Sequence, residues 1–216
     1  MHELVGWLLM PALTVWKTPL SYAECFGFIS GLWCVWLTAQ RSIYNFPVGI
    51  LNCALLFFLF FEQRLFADAG LQIFFIILGI NGWWLWFNGK QSNVPISRLA
   101  KSQIIVYGLV TFILVALLVM VLSLVKGSIP LFDALITALS LTAQRLLNLR
   151  KLESWMVWIT VDLISIPVYC YKQLYLIALL YGIFLMLCIY GYKQWHKAVN
   201  DKNFPKMMQS NNEKAV

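Results

Sequence analysis

Charge is what this sequence has least of. Only 12% of its 216 residues are Asp, Glu, Lys or Arg, whereas 61% are hydrophobic and the mean hydropathy is +0.77. Soluble domains average about 25% charged residues, so the chain lacks the polar surface that a water-soluble fold of this size needs. Its surplus apolar residues must face lipid. Histidine is nearly missing as well: His2 and His196 lie at the two ends, which removes the commonest general base and metal ligand from the body of the chain. No GxxxxGK[ST] loop occurs, which argues against a nucleotide-driven pump. The five cysteines (Cys25, Cys34, Cys53, Cys170, Cys188) form no CxxC and have no neighbouring histidine. A disulfide framework or zinc site is therefore unsupported, and buried thiols acting as small hydrophobes are expected. No metal and no cofactor is expected. The first residues lack the basic start and A-x-A site of a cleavable leader. With Pro11 and a short apolar run, residues 1–19 read as an N-terminal interfacial helix.

What the chain does have is apolar length. A helix crossing the hydrocarbon needs about 20 apolar residues, with a range of roughly 17 to 25. Seven runs meet or approach this, at 20–39, 44–61, 66–87, 102–125, 130–148, 152–170 and 173–194. They are long and continuously apolar, not alternating, so helices are expected and not barrel strands. Turn chemistry and charge mark the joints, as in Asn88-Gly89-Lys90 and Lys126-Gly127-Ser128-Ile129-Pro130. The expected fold class is an all-α membrane protein with seven transmembrane helices.

Orientation follows from the bases. With seven spans, Lys17, Arg64, Lys126 and Lys172 fall on one side, and the other twelve of the sixteen Lys and Arg fall opposite. The lipid bilayer is thus the first partner, with the N-terminus periplasmic, the C-terminus cytoplasmic and the chain multi-pass in the inner membrane. A net charge of +7 spread over joints and the polar segment 196–216 is loop topology, and nucleic acid is not an expected partner. That last segment reads as a solvated cytoplasmic tail.

Shifting the sequence by 109 residues lays Ser42–Trp86 on Lys151–Trp195 without a gap, with ten of 45 positions identical. Among them are Leu65/Leu174, Ala69/Ala178, Phe75/Phe184, Gly82/Gly191 and Trp86/Trp195, and aromatics exchange at Phe46/Trp155 and Phe60/Tyr169. Two copies of three helices share one orientation only if an odd number of spans separates them, and the run 102–125 is that span. The expected layout is a 3+1+3 parallel repeat. Residues 20–87 form the first copy, 88–129 a linker with the connecting helix, and 130–195 the second copy. In such proteins the solute site is expected near the midplane between the halves, and a carrier uses the symmetry directly.

Polar side chains at membrane depth cost a few kcal/mol and mark function by default. In the sixth run Trp155, Trp158, Asp162 and Ser165 share one helical face, and Asp162 is the only charge between Ser154 and Tyr171. Two indoles and a carboxylate suit a flat cationic ring, through stacking, cation–π attraction and counter-charge. An interfacial aromatic belt, with Asp162 paired to an arginine, is the bland alternative. Thr137, Gln144 and Asn148 make a polar stripe on the fifth run, bonding either a ligand or another helix. Asn45 and Asn52 share a face beside Gly49, and Asp68 and Gln72 share another with Gly79. Gly82 and Gly191 read as close-packing sites.

These residues carry a resemblance. Asn45-Phe46-Pro47-Val48-Gly49-Ile50, Leu65-Phe66-Ala67-Asp68-Ala69-Gly70-Leu71-Gln72 and Asn81-Gly82-Trp83-Trp84-Leu85-Trp86, then Glu153-Ser154-Trp155-Met156-Val157-Trp158 with its WxxW, Asp162, Tyr175 and Tyr190-Gly191-Tyr192-Lys193-Gln194-Trp195, resemble the bacterial Pnu-type vitamin transporter family. Phe46 departs from the tryptophan often found there. The resemblance implies a 3+1+3 fold like that of the sugar-transporting SWEET proteins and a homotrimer. It also implies uptake of nicotinamide riboside by facilitated diffusion, with a cytoplasmic kinase trapping the product. Thiamine or riboflavin is the alternative substrate. On this resemblance Trp155 and Trp158 stack the pyridinium ring, Asp162 is its counter-charge, and Asn45, Gln144 and Asn148 bind amide or hydroxyls. Asn52, Gln72 and Thr137 complete the candidate set. An intramembrane enzyme is the rival of another class; it lacks a mid-membrane base or ligand set.

Overall fold

In lipid, a lone segment satisfies all its backbone N–H and C=O groups only as a helix, and the apolar runs fold accordingly. The computed structural model describes residues 11–15, 18–62, 66–88, 95–124 and 129–201. Seven helices lie among them: α1 (Tyr22–Ala39), α2 (Asn45–Glu62), α3 (Phe66–Asn88), α4 (Lys101–Leu124), α5 (Pro130–Asn148), α6 (Glu153–Tyr171) and α7 (Tyr175–Asn200). Each coincides with one apolar run to within two residues at most ends. The exception is the end of α7, which continues to Asn200, past the point where a tail was expected to begin; residues 202–216 lie outside the described residues.

One expectation needs correction, and a second is met in part. Where the N-terminal interfacial helix was to end, the chain forms an antiparallel hairpin of β1 (Pro11–Val15) and β2 (Thr18–Ser21); residues 1–10 lie outside the described residues. Pro11 and Pro19 restrict φ and remove two backbone donors, and the β-branched Thr14, Val15 and Thr18 favour extended backbone. Secondly, six of the seven helices have the length and hydropathy of membrane spans, and α5 is not among them. Its Asp133, Thr137, Ser140, Thr142, Gln144, Arg145 and Asn148 lower its hydropathy. Its buried face is largely small, with Ala134, Ala138, Ser140 and Ala143, and it packs against α4 on one side and α6 on another. A helix flanked in this way needs less apolar surface than one exposed to lipid.

The 109-residue shift is visible in two of the turns. After α1, the backbone N–H groups of Gln40, Arg41 and Ser42 donate to the carbonyls of Trp36, Thr38 and Leu37, and those of Asn45 and Phe46 to Ser42 and Ile43. After α5, Leu149, Arg150 and Lys151 donate to Arg145, Leu147 and Leu146, and Ser154 and Trp155 to Lys151 and Leu152. Every donor and acceptor in the second set is 109 residues on from its counterpart. Both turns are Schellman caps whose left-handed residue is an arginine, Arg41 at φ 61° and Arg150 at φ 53°, where glycine is usual. Burial pulls both guanidinium groups below their ordinary pKa. The α6–α7 turn repeats the cap, with Gln173 at φ 59°.

The chain divides into two units, Met1–Trp83 and Trp84–Val216. In the first, α1 packs on α2. Asn52 Nδ2 donates to the Gly27 carbonyl at 2.7 Å and to Ser30 Oγ at 2.8 Å, and a Cβ on Gly49 would stand 3.0 Å from Cys34 Sγ. A capping box of Ser21 and Glu24 starts α1. In the second unit, α4 packs on α5, α5 on α6 and α6 on α7. Thr111 and Thr142 hydroxyls meet at 2.8 Å between α4 and α5. Ahead of α4, Ser97 pairs with Lys151 as a short parallel bridge, and Leu99 N–H donates to Glu153 Oε2 at 3.0 Å. Lys172, in the α6–α7 turn, reaches Asp133 in the first turn of α5 at 2.8 Å.

Whether α5 crosses the membrane decides the parity of the chain, and a topology reporter tests it. Fused after Val216, a reporter active only in the cytoplasm should be active, and one active only in the periplasm silent. The reverse result would sink the seven-span reading.

Candidate functional site

Helix α6 carries the polar face predicted for it. Ser154, Trp155, Asp162 and Ser165 are buried, each at most 2% exposed, on the side that meets α5 and α7. Four of their polar atoms, Ser154 Oγ, Trp155 Nε1, Asp162 Oδ2 and Ser165 Oγ, have no hydrogen-bond partner among the described residues. A buried polar group left unpaired costs about 1–3 kcal/mol, and native proteins carry few of them. Four on one face of one helix is a concentration that packing does not require.

The two indoles of the WxxW part company. Trp155 is sealed: its ring meets Trp195 edge-on, with centroids 5.6 Å apart at 84°, and its benzo edge lies against the backbone of Gly191 on α7. Trp195 in turn lies 6.4 Å from Trp86 at the end of α3. Trp86 Nε1 donates to the Asn148 carbonyl at 3.1 Å, and the Arg150 guanidinium sits 4.4 Å above the Trp86 ring. This cluster encloses one end of the α6 face, and neither face of Trp155 is open. Trp158, one turn further along, is only half-buried.

Beyond Trp158 the face becomes polar. Asp162 is opposed by the Cys188 thiol of α7, near enough to hydrogen-bond its carboxyl group. Tyr181 of α7 lies beside both Asp162 and Ser165. Its ring stacks on Tyr169 at 5.2 Å and 17° and meets Phe184 edge-on at 6.1 Å. Tyr169 follows Ser165 by four residues, so it belongs to the same stripe of α6.

The remaining candidates are divided. Gln144 Nε2 donates to Asn148 Oδ1 at 3.2 Å, so these two amides on α5 come together, while Thr137 on the same helix is half-buried. Asn45 Nδ2 donates to the Ser42 carbonyl, serving the start of α2. Asn52 spends both amide hydrogens between α1 and α2, as given above. Gln72 is buried on α3, whereas Asp68 is exposed. Asn45, Asn52 and Gln72 belong to the first unit and Gln144, Asn148, Trp155, Trp158 and Asp162 to the second.

Tyr181 was not singled out from the sequence, although a signal existed. The 109-residue shift that defines the duplication pairs Tyr181 with Gln72, which was. Among the described residues no group of three His, Cys, Asp or Glu side chains is placed to hold a metal. What the α6–α7 face offers chemically is a carboxylate, the hydroxyls of Ser154, Ser165, Tyr169 and Tyr181, the Cys188 thiol and a partly open indole, a set of donors, acceptors and a π-face suited to binding.

Residues 21–197 match the family described as nicotinamide mononucleotide transporter. The chain is 25% identical over 211 residues to the nicotinamide riboside transporter PnuC of Escherichia coli K12, covering 85% of this chain and 88% of that one. It is 26% identical to the PnuC of Haemophilus influenzae over 93% and 92% of the two chains. It is also 26% identical to the riboflavin/roseoflavin transporter RibM of Streptomyces davaonensis, over 88% and 92%. A crystal structure of the vitamin B3 transporter PnuC superposes with a TM-score of 0.69 at 20% identity, covering 82% of each chain, and so shares the fold.

Proposed function

The chain belongs to the nicotinamide mononucleotide transporter family, and from that premise we propose that it carries nicotinamide riboside across the inner membrane by facilitated diffusion, a cytoplasmic kinase trapping the product as phosphate. One observation carries the choice of substrate: Asp162, mid-helix and 2% exposed, keeps a carboxylate oxygen unpaired on the face that bears Trp158. A positively charged pyridinium supplies the missing counter-charge, and the indole supplies a π-face. The mononucleotide adds a phosphate dianion that the same carboxylate would repel in a low dielectric. The riboside is therefore favoured over its phosphorylated form.

Gln144, Asn148 and Thr137 line the site in this reading and Trp155, enclosed by Trp195 and Gly191, supports it from behind; Asn45, Asn52 and Gln72 are the candidates that the first unit holds. The two copies and α4 adopt the 3+1+3 arrangement of SWEET-like carriers. Helix α4, in which no residue is buried, is then the surface left for lipid and for the neighbours in a homotrimer. The N-terminus lies in the periplasm and the C-terminus in the cytoplasm.

The RibM relative supports a second reading, since riboflavin is also a flat ring with a polyhydroxylated chain. Its ring is uncharged and would gain nothing from Asp162. Titrations of the purified protein with nicotinamide riboside, riboflavin and thiamine, followed by tryptophan fluorescence, separate these readings; the riboside should bind most tightly.

Transport itself is tested in proteoliposomes. Asp162 serves the substrate as counter-charge, and the one histidine among the described residues, His196, stands near the C-terminal end of α7 and away from that face, so uptake should follow a nicotinamide riboside gradient with neither proton nor sodium gradient imposed. Accumulation above equilibrium in kinase-free vesicles, collapsing on addition of an uncoupler, would overturn uniport.

A further inference from the structure

The two copies of the three-helix unit differ most sharply where the second one buries polar groups. Asp162, Ser165, Tyr169 and Tyr181 stand 109 residues after Cys53, Leu56, Phe60 and Gln72. The first copy carries a thiol, a leucine and a phenylalanine at the corresponding positions of α2, and only Gln72, on α3, is strongly polar. The carboxylate and the hydroxyls are thus particular to the second copy. In the second copy they sit together: Asp162 and Ser165 are one turn apart, buried, with Oδ2 and Oγ unpaired. Tyr169 continues the stripe, and Tyr181 is held against it by the 5.2 Å ring stack.

We propose that Ser165 and Tyr181, with Asp162, form a subsite for the sugar hydroxyls of the substrate. A carboxylate accepts from two neighbouring hydroxyls at once, and serine and tyrosine hydroxyls each donate and accept. Together they match a vicinal diol, which presents two donors and their lone pairs within one short reach. Trp158 lies one turn from Asp162 on the opposite side from Ser165, so ring and sugar of one nucleoside extend along a single helix face. Tyr181 is then a specificity-determining residue contributed by α7, setting hydroxyl recognition while the indole sets ring recognition. The assignment rests on the nucleoside-transport reading above.

The test is calorimetric titration with two ligands, nicotinamide riboside and its 2′,3′-dideoxy analogue. Wild-type protein should bind the dideoxy compound roughly tenfold or more weakly, the scale of a lost charge-assisted hydrogen bond. Tyr181→Phe, which keeps the stack on Tyr169, and Ser165→Ala should each weaken the riboside roughly tenfold and leave the dideoxy compound nearly unchanged, so that the gap between ligands closes. Trp158→Ala should weaken both ligands alike and preserve the gap. If the wild type binds the two ligands equally, or if both hydroxyl variants keep the wild-type gap, the subsite is overturned while riboside transport stands. If the wild type does not bind nicotinamide riboside at all, the transport reading fails and the subsite falls with it.

Discussion

Trp158→Ala should weaken nicotinamide riboside binding roughly tenfold to a hundredfold, corresponding to the 1–3 kcal/mol range of base–aromatic stacking. The expectation now falls on Trp158 alone. The WxxW spacing puts both indoles on one face, but Trp155 is 1% exposed and enclosed by Trp195 and Gly191, with no ring face to offer. Trp158→Phe should retain part of the affinity because a smaller π-face remains. Trp33, 55% exposed on α1, is the control, and its replacement by alanine should leave affinity unchanged. Titration calorimetry on variants that elute as single species decides the matter. Wild-type affinity in Trp158→Ala would place the ring elsewhere in the bundle.

Gly191→Ala should destabilise the second unit by about 3 kcal/mol, at the upper end of what over-packing costs. An added Cβ would overlap the benzo edge of the Trp155 indole, with Cζ3 at 2.6 Å. Neither partner yields cheaply: the glycine is inside α7, and the indole is a rigid plane fixed edge-on by Trp195. A flexible side chain would move aside; this one cannot. Gly182, on the same helix, has nothing within 4 Å of the place an added methyl would take, so Gly182→Ala should be neutral or slightly stabilising through helix propensity. Thermal unfolding of the detergent-purified variants compares the two directly, and a melting temperature on the order of 10 °C lower is expected for Gly191→Ala only. Equal melting of the two variants would remove Gly191 as the seat of Trp155.

Helix positions were legible because the length of an apolar run is a local property and lipid permits no alternative secondary structure. The α6 stripe was legible for a similar reason, since 3.6-residue periodicity assigns Trp155, Trp158, Asp162 and Ser165 to one face whatever packs there. The N-terminal segment was not: apolar composition cannot separate an interfacial helix from a hairpin when prolines punctuate it. The polar residues of the first copy were only half legible. Asn45 and Asn52 are polar residues at membrane depth, as a binding site requires, yet one closes a turn and the other ties α1 to α2. Spacing cannot reveal that, because the acceptor for Asn52 lies 25 residues away. Tyr181 was missed for the converse reason: its relevance depends on the register of α7 against α6, which no periodicity within either helix contains.

Taken alone, the amino-acid order determined that the chain is membrane-embedded, where most of its helices start and stop, that Ser42–Trp86 matches Lys151–Trp195 at a 109-residue shift, and that α6 presents an acidic, aromatic face. Each of these depends on composition or on intervals along one chain segment. The tertiary structure decided how the members of that face are spent: Trp155 is consumed by Gly191 and Trp195, while Asp162 Oδ2 and Ser165 Oγ are buried without a hydrogen-bond partner beside Tyr181. The physical reason is that a hydrogen bond or a ring contact is satisfied by whichever atom lies across the interface, and in this bundle that atom comes from a neighbouring helix.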